Sequence, residues 1–281
     1  MVPSKEQWKT YSYQESLPAD YRAFRKLLET YSEIPPEEVE AHLYKIRDRA
    51  WDVAQYPCVG RFTWVRLSYF QDPEMKAAVD RLTAPGSNDT LLEMGSFVGQ
   101  TIRQLVALGV DSSRLYASDL HPEFIDIGFD LFRDKDRIKA VFTTGDMLNP
   151  DDENLKQLDG KINLIHAANF FHLFTWDQQI AIGKRIVRFL PSGRVDAVLF
   201  GHHIGSVEPG EKLSKSGGGR YRHDADSFQR LWDEISSATE TRWKTEVIMG
   251  NPLPIKIPGF GDDSRLVRYS VAQQPWPPAP E

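Results

Sequence analysis

Three acids and two glycines are the residues of this chain with the clearest chemistry. Glu93, Asp119 and Asp146 stand 26 and 27 residues apart, and each closes an apolar run, in "TLLEMG", "RLYASD" and "IKAVFTTGD". Gly95 and Gly99 follow the first acid. One acid behind a strand arises often by chance; three at the same place in successive strand–loop–helix units arise much less often. Glycines let the backbone turn tightly and come close to a ligand. Asp119 suits a ribose diol, as an acid after the second strand does in dinucleotide folds. Asp146 suits an exocyclic adenine amine, with Met147 packed on the ring, and Leu120 joins the same pocket beside Asp119. The set describes an adenosine site. Each acid also has a structural alternative: Asp119 and Asp146 as caps of the next helices, and Glu93 as an acceptor for the amides of its own loop.

Phe97 narrows the choice of ligand. It stands where a G-x-G-x-x-G loop would carry its middle glycine, which lets the backbone approach a pyrophosphate. S-adenosylmethionine has no phosphate, so a side chain there costs less. The spacing G-x-x-x-G behind an acid therefore reads as a site for S-adenosylmethionine.

Further candidates follow the later apolar runs. Asn169, in "HAANFFHLF", either faces the methionine end of such a ligand or holds a turn. His172 is a candidate base or orienting group, with packing against Phe170, Phe171 and Phe174 as the alternative. His202 and His203 are adjacent in a strand, whose alternation sends them to opposite faces, so at most one points into the site. His172 and His203 are the catalytic candidates retained. Arg61 and Arg66 would clamp a substrate carboxylate or pair with nearby acids. Trp8, Tyr11, Tyr13, Trp51, Phe62 and Trp64 would line a pocket for a prenylated substrate, or simply pack helices. "SKSGGGRYRHD" reads as a loop beside the site, and no strand and helix start frame its glycines as a phosphate cradle. Cys58 is the single cysteine, which excludes an internal disulfide and a multi-cysteine metal site; no metal is expected.

These residues need a parallel sheet to hold them. From residue 90 onward strand and helix patterns alternate, which implies an α/β, Rossmann-like sheet covered by helices. The strands are "TLLEMG", "RLYASD", "IKAVFTTG", "INLIHAA" and "RVDAVLFG", with "WKTEVIMG" and "RLVRYSVAQ" as a closing antiparallel pair. Helices fall on "HPEFIDIGFDLFRD", on "TWDQQIAIGKRIVRFL", where Thr175 and Gln178 have capping-box spacing, and on "HDADSFQRLWDEIS". Residues 1–85 read as a helical N-terminal cap, 86–273 as the ligand-binding domain and 274–281 as a loose tail. The formal charge of -6 gives no basic footprint for nucleic acid, and no apolar run reaches the roughly 20 residues that span a bilayer. The N-terminus has neither a signal core nor a transit-peptide composition, so a cytoplasmic location is expected.

With those motifs in place, the chain resembles the class I S-adenosylmethionine-dependent methyltransferases over roughly residues 88–273. "LLEMGSFVGQ" looks like their first motif, with Phe97 the departure; "SDLHP" and "GDM" match the ribose and adenine positions. "YPCVGRFTW" and "ANFFHLFTWDQQ" are similar to methyltransferases of fungal meroterpenoid gene clusters. That resemblance implies methylation of the carboxyl group of a farnesylated aromatic acid, a hydrophobic small-molecule substrate, and a homodimer. A carboxylic acid, with pKa about 4, is ionised at neutral pH and needs no base; a phenol, with pKa about 10, needs one. The alternatives are a hydroxyl methyltransferase using a histidine base, a nicotinamide-dependent oxidoreductase, and a non-catalytic scaffold.

Overall fold

The computed structural model describes residues 5–193, 195–213, 218–253 and 258–275 of the 281. Seven strands form one sheet. They are β1 (Leu91–Met94), β2 (Leu115–Asp119), β3 (Val141–Thr144), β4 (Leu164–His166), β5 (Val198–Ser206), β8 (Arg242–Pro252) and β9 (Ser264–Gln274), in the order β3-β2-β1-β4-β5-β9-β8. A separate two-stranded sheet pairs β6 (Gly210–Leu213) with β7 (Gly219–Arg222). β4 runs parallel to β1 and β5, whereas β9 is antiparallel to both of its neighbours, β5 and β8. The last strand thus slots between β5 and β8, an insertion that no local pattern announces. The stretch read as a loop around 214–224 is in part strand β7; Ser214–Gly217 and the outer part of the expected tail lie outside the described residues.

The chain divides into two compact units. One holds Asp89–Gly95 and the described residues from Gly145 onward; the other holds the described residues up to Asn88 together with Ser96–Thr144. In the second, α1 (Lys5–Ser12), α2 (Arg22–Thr30), α3 (Val39–Val53), α4 (Pro57–Gly60) and α5 (Pro73–Thr83) precede α6 (Gln100–Ala107) and α7 (Pro122–Phe132). α3 buries Val39, Leu43, Ile46 and Ala50, one per turn, which is the spacing that puts apolar groups on a single helix face. Trp8, Trp51, Phe62 and Trp64 are buried among these helices, while Tyr11 is exposed.

In the other unit, α8 (Glu153–Lys156), α9 (Trp176–Phe189) and α10 (Ala225–Thr239) follow. α9 starts on a capping box: Thr175 accepts the Gln178 N–H, and Gln178 accepts the Thr175 N–H. One face of β9 presents Val267, Tyr269 and Val271, all buried. Tyr269 meets Phe171 and Phe228 at ring separations of 6.1 and 5.0 Å. Burial of side chains of this size contributes roughly 1.5–3 kcal/mol each. β8 is one of the two edge strands of the sheet, and Gln229 of α10 covers part of it. Its Oε1 accepts the Thr245 N–H at 2.8 Å and its Nε2 donates to the Trp243 carbonyl at 3.2 Å. Among the described residues no helix is long and apolar enough to cross a membrane.

Candidate functional site

In the unit that carries β2, the loop after β1 and the acid after β2 are joined by hydrogen bonds. Asp119 is 9% exposed; its Oδ2 accepts the Phe97 N–H at 2.8 Å and its Oδ1 accepts the His121 N–H at 3.0 Å. Burial raises its pKa, and the two backbone donors oppose the rise. A carboxylate has about four lone-pair sites, so acceptor capacity remains for a diol. The N-cap of α7 is His121, without a side-chain cap bond. Phe97 reaches Asp119 because its backbone is left-handed, φ +51°. Such a conformation costs a non-glycine residue roughly 1–3 kcal/mol. Ring packing offsets that cost: Phe97 stands 5.8 Å from Trp64 and 4.7 Å from Phe124. The Phe97 amide is therefore committed to a carboxylate and is not offered to a phosphate.

Gly99 precedes α6 with φ +66°, and a Cβ there would lie 2.4 Å from the Arg103 guanidinium and 2.9 Å from Phe142. Arg103 cannot give way easily, since it is buried in a two-pronged bond to Asp134, both contacts at 2.9 Å. Leu120 is exposed beside Asp119. The segment that includes α4 lies close by: Tyr56 and His121 are 6.4 Å apart, and burial raises the Cys58 thiol to about 11, with the Asp119 charge adding to the rise.

In the other unit Glu93 is buried in β1, and its Oε2 lies 2.8 Å from Nδ1 of His166, its direct partner on β4. His166 was not among the sequence candidates. Its only signal was the histidine in "INLIHAA", and its pairing depends on a strand register that the sequence does not display. Gly95 is exposed with φ +65°, and a Cβ there would come within 3.0 Å of the Phe170 ring. Asp146 is exposed and accepts the Leu148 N–H at 2.9 Å, and the half-buried Met147 follows it. The cap of α8 is Asp152, which also accepts the Asp146 N–H at 2.9 Å. Arg185 of α9 holds this turn by donating to the Pro150 and Asp152 carbonyls at 2.8 and 3.1 Å.

Asn169 is left-handed at φ +53°; its N–H donates to the His202 carbonyl at 2.6 Å, and its side-chain amide lies 3.3 Å from His202 Nε2. β5 sends His202 and His203 to opposite faces. His203 is 1% exposed, 4.8 Å from the Tyr269 ring and 5.3 Å from Phe228, and neither ring nitrogen has a hydrogen-bond partner among the described residues. His172 lies in the 3-10 turn Phe171–Leu173, buried, with Nδ1 3.5 Å from the Ile204 N–H. His223 is held by Gln179 and Ser227 at 3.0 and 3.1 Å. Burial drives His172 down to about 3, with Arg222 adding to the effect, and drives His202 to about 4 and His223 to about 3. His203 is held well below its ordinary value, again by burial first. All four are neutral imidazoles at pH 7. Among the described residues no group of three or more His, Cys, Asp or Glu is arranged to hold a metal ion. Arg61 donates to the Tyr11 carbonyl at 3.1 Å and Arg66 pairs with Asp20 at 3.1 Å, so both have local partners.

Residues 11–65 match the family model described as the meroterpenoid methyltransferase N-terminal domain. The O-methyltransferase phiE of Fungal sp. (strain ATCC 74256) is 40% identical over 225 residues, which cover 79% of this chain and 74% of that protein. The Asnovolin E/Chermesin D methyltransferase nvfJ of Aspergillus novofumigatus is 35% identical over 223 residues, 79% of each. Among solved structures, Haemonchus contortus phosphoethanolamine N-methyltransferase 2 in complex with S-adenosyl-L-methionine aligns with a TM-score of 0.52 at 13% identity. The alignment covers 90% of this chain and 60% of that one, a likeness of fold alone.

Proposed function

We propose a function from one premise: the chain belongs to the meroterpenoid methyltransferase family that includes phiE and nvfJ. It is an S-adenosylmethionine-dependent methyltransferase that acts on an oxygen of a hydrophobic small molecule, and that oxygen belongs to a carboxyl group of a prenylated aromatic acid. Family membership sets aside the oxidoreductase and scaffold alternatives.

The residues fit the cofactor. Asp119 keeps acceptor capacity for the ribose diol, and Gly95 and Gly99 occupy positions that a side chain would crowd. In this reading Leu120 covers the ribose side, Asp146 accepts the adenine amine and Met147 packs on its ring. Glu93 and Asn169 serve the methionine end. When bound, S-adenosylmethionine supplies a sulfonium methyl to an oxygen nucleophile, and an ionised carboxylate accepts it with no proton transfer.

The observation that carries the carboxyl reading is the state of the histidines. A base whose conjugate acid has a pKa of about 3 or 4, as in His172 and His202, is far too weak to take the proton of a phenol near 10. His172 therefore orients and desolvates the nucleophile rather than deprotonating it, whereas His203, a catalytic candidate from the sequence, is enclosed by Tyr269 and Phe228 on the other face of β5 and packs the core. His172 acts as a neutral group in a dry setting, where attraction between a carboxylate and a sulfonium is strongest. The test is incubation of the purified chain with S-adenosylmethionine and a farnesylated hydroxybenzoic acid, with the product identified by mass spectrometry and ester hydrolysis. A methyl ester is expected. A methyl ether would sink the carboxyl reading and return a base to the mechanism.

A further inference from the structure

Arg222 closes β7 and is only 4% exposed. Its Nη1 donates to Ser264 Oγ at 3.1 Å, its Nη2 donates to the Gly259 carbonyl, and its guanidinium lies 4.3 Å from the Phe260 ring centre. Among the described residues no carboxylate is in ion-pair contact with it. Asp263 is the acid that acts on it electrostatically, and Asp263 is committed elsewhere. Its Oδ2 accepts from Ser206 Oγ at 2.6 Å and from Lys212 Nζ at 2.9 Å, contacts that hold it down to about 2. Two cations thus share one anion, and the more buried cation is the one without an anion in direct contact among the described residues. Burial lowers Arg222 only to about 10, so it is charged at neutral pH.

The free part of Arg222 is chemically specific. Its Nε is buried with no hydrogen-bond partner among the described residues. Nε–H and a neighbouring Nη–H form one edge of the guanidinium, and that edge is the geometry that takes a carboxylate through two parallel bonds. A buried cation with an unused donor is costly to keep unless something completes it. The surroundings match an acid substrate. Arg222 lies within electrostatic range of His172, and β7 docks on the same turn through the Tyr221 N–H, which donates to the Phe174 carbonyl at 2.8 Å.

We infer that Arg222 is the anion anchor of the substrate: its Nε edge receives the carboxylate that is methylated, beside the neutral His172. This assignment rests on the carboxyl reading above. The anchor fixes the orientation of the carboxylate, and Phe260 shields the guanidinium from water.

The test is calorimetric titration of the full chain, with S-adenosylhomocysteine present, using 3-farnesyl-4-hydroxybenzoic acid and its primary amide as probes. The wild-type chain is expected to prefer the acid by about tenfold or more, the scale of one charge-assisted pair. Arg222→Met should remove that preference, with a much smaller loss for the amide than for the acid and no change in S-adenosylhomocysteine affinity, and Arg222→Lys should restore part of it. A preference that survives in Arg222→Met, or a parallel loss for acid and amide in both variants, overturns the anchor and leaves the carboxyl reading standing. A wild-type chain that binds S-adenosylhomocysteine but does not distinguish acid from amide removes the carboxyl reading, and the anchor with it.

Discussion

Phe97 and Asn169 both follow strands, and both hold a left-handed backbone, at φ +51° and +53°. They are kept there by different forces. Phe97 is locked by apolar packing between Trp64 and Phe124, with one backbone bond to Asp119. Asn169 is locked by polar contacts to His202, one from its backbone and one from its side chain. The first conformation therefore depends on the N-terminal helices, and the second on β5 and the protonation of its histidines. The same backbone strain answers to packing in one region and to pH in the other.

Acid should break the comparison most strongly. His172, His202, His203 and His223 have folded pKa values below the unfolded value of about 6.5. Below that pH the unfolded chain binds more protons than the folded one, so stability present above pH 6.5 is lost as pH falls toward 4. His172, His202 and His223 each forfeit about 2 kcal/mol at pH 5, His203 adds in the same direction, and the sum rivals the whole stability of a typical domain. Urea midpoints at pH 7 and pH 5 check this, and a flat profile between them would contradict the buried, neutral assignment.

Packing comes next. Trp64→Ala should cost about 3–5 kcal/mol in urea unfolding, as truncation of a buried aromatic does. It should also weaken S-adenosylmethionine binding, because Phe97 loses the ring that holds its loop. Normal cofactor affinity in a folded Trp64→Ala chain would separate the loop from the cap. Asp119→Ala leaves the amides of Phe97 and His121 without acceptors and should lower S-adenosylmethionine affinity about a hundredfold in calorimetry. A change of less than about threefold would remove Asp119 from the ribose role. The smallest effect belongs to Asn169→Gly, which relieves the backbone while losing the amide contact to His202. It should change stability by no more than about 1 kcal/mol and shift the pH profile only slightly, since burial and not this contact is the main cause of the low His202 value.

The two regions also differ in how far the sequence displays them. The acids at strand ends, the glycine spacing and the Thr175–Gln178 cap are visible because their partners lie within one strand–loop–helix unit or one helical turn. The Glu93–His166 pair is not, since 73 residues separate the partners and only the parallel register of β1 and β4 brings them together. β9 entered between β5 and β8 for the same kind of reason: its neighbours are set by sheet topology, not by chain order. Strand β7 is not legible in "SKSGGGRYRHD", which is rich in glycine and charge and too short for an alternating pattern. Arg222 was hidden in that same stretch. The burial of both His203 nitrogens had no sequence signal, because its aromatic neighbours Phe228 and Tyr269 come from later elements.

The contact of Trp64 with Phe97 sets a rule for recombination. A chimera that joins the first 88 residues of one relative to the remainder of another would not be a simple exchange of a substrate-facing module. The three rings at positions 64, 97 and 124 would have to travel together, since Phe97 and Phe124 lie beyond the junction while Trp64 lies before it. Grafts matched at those three positions should keep their cofactor affinity. Unmatched grafts should fold with a loosened first loop and turn over slowly on every substrate, a defect easily mistaken for altered specificity.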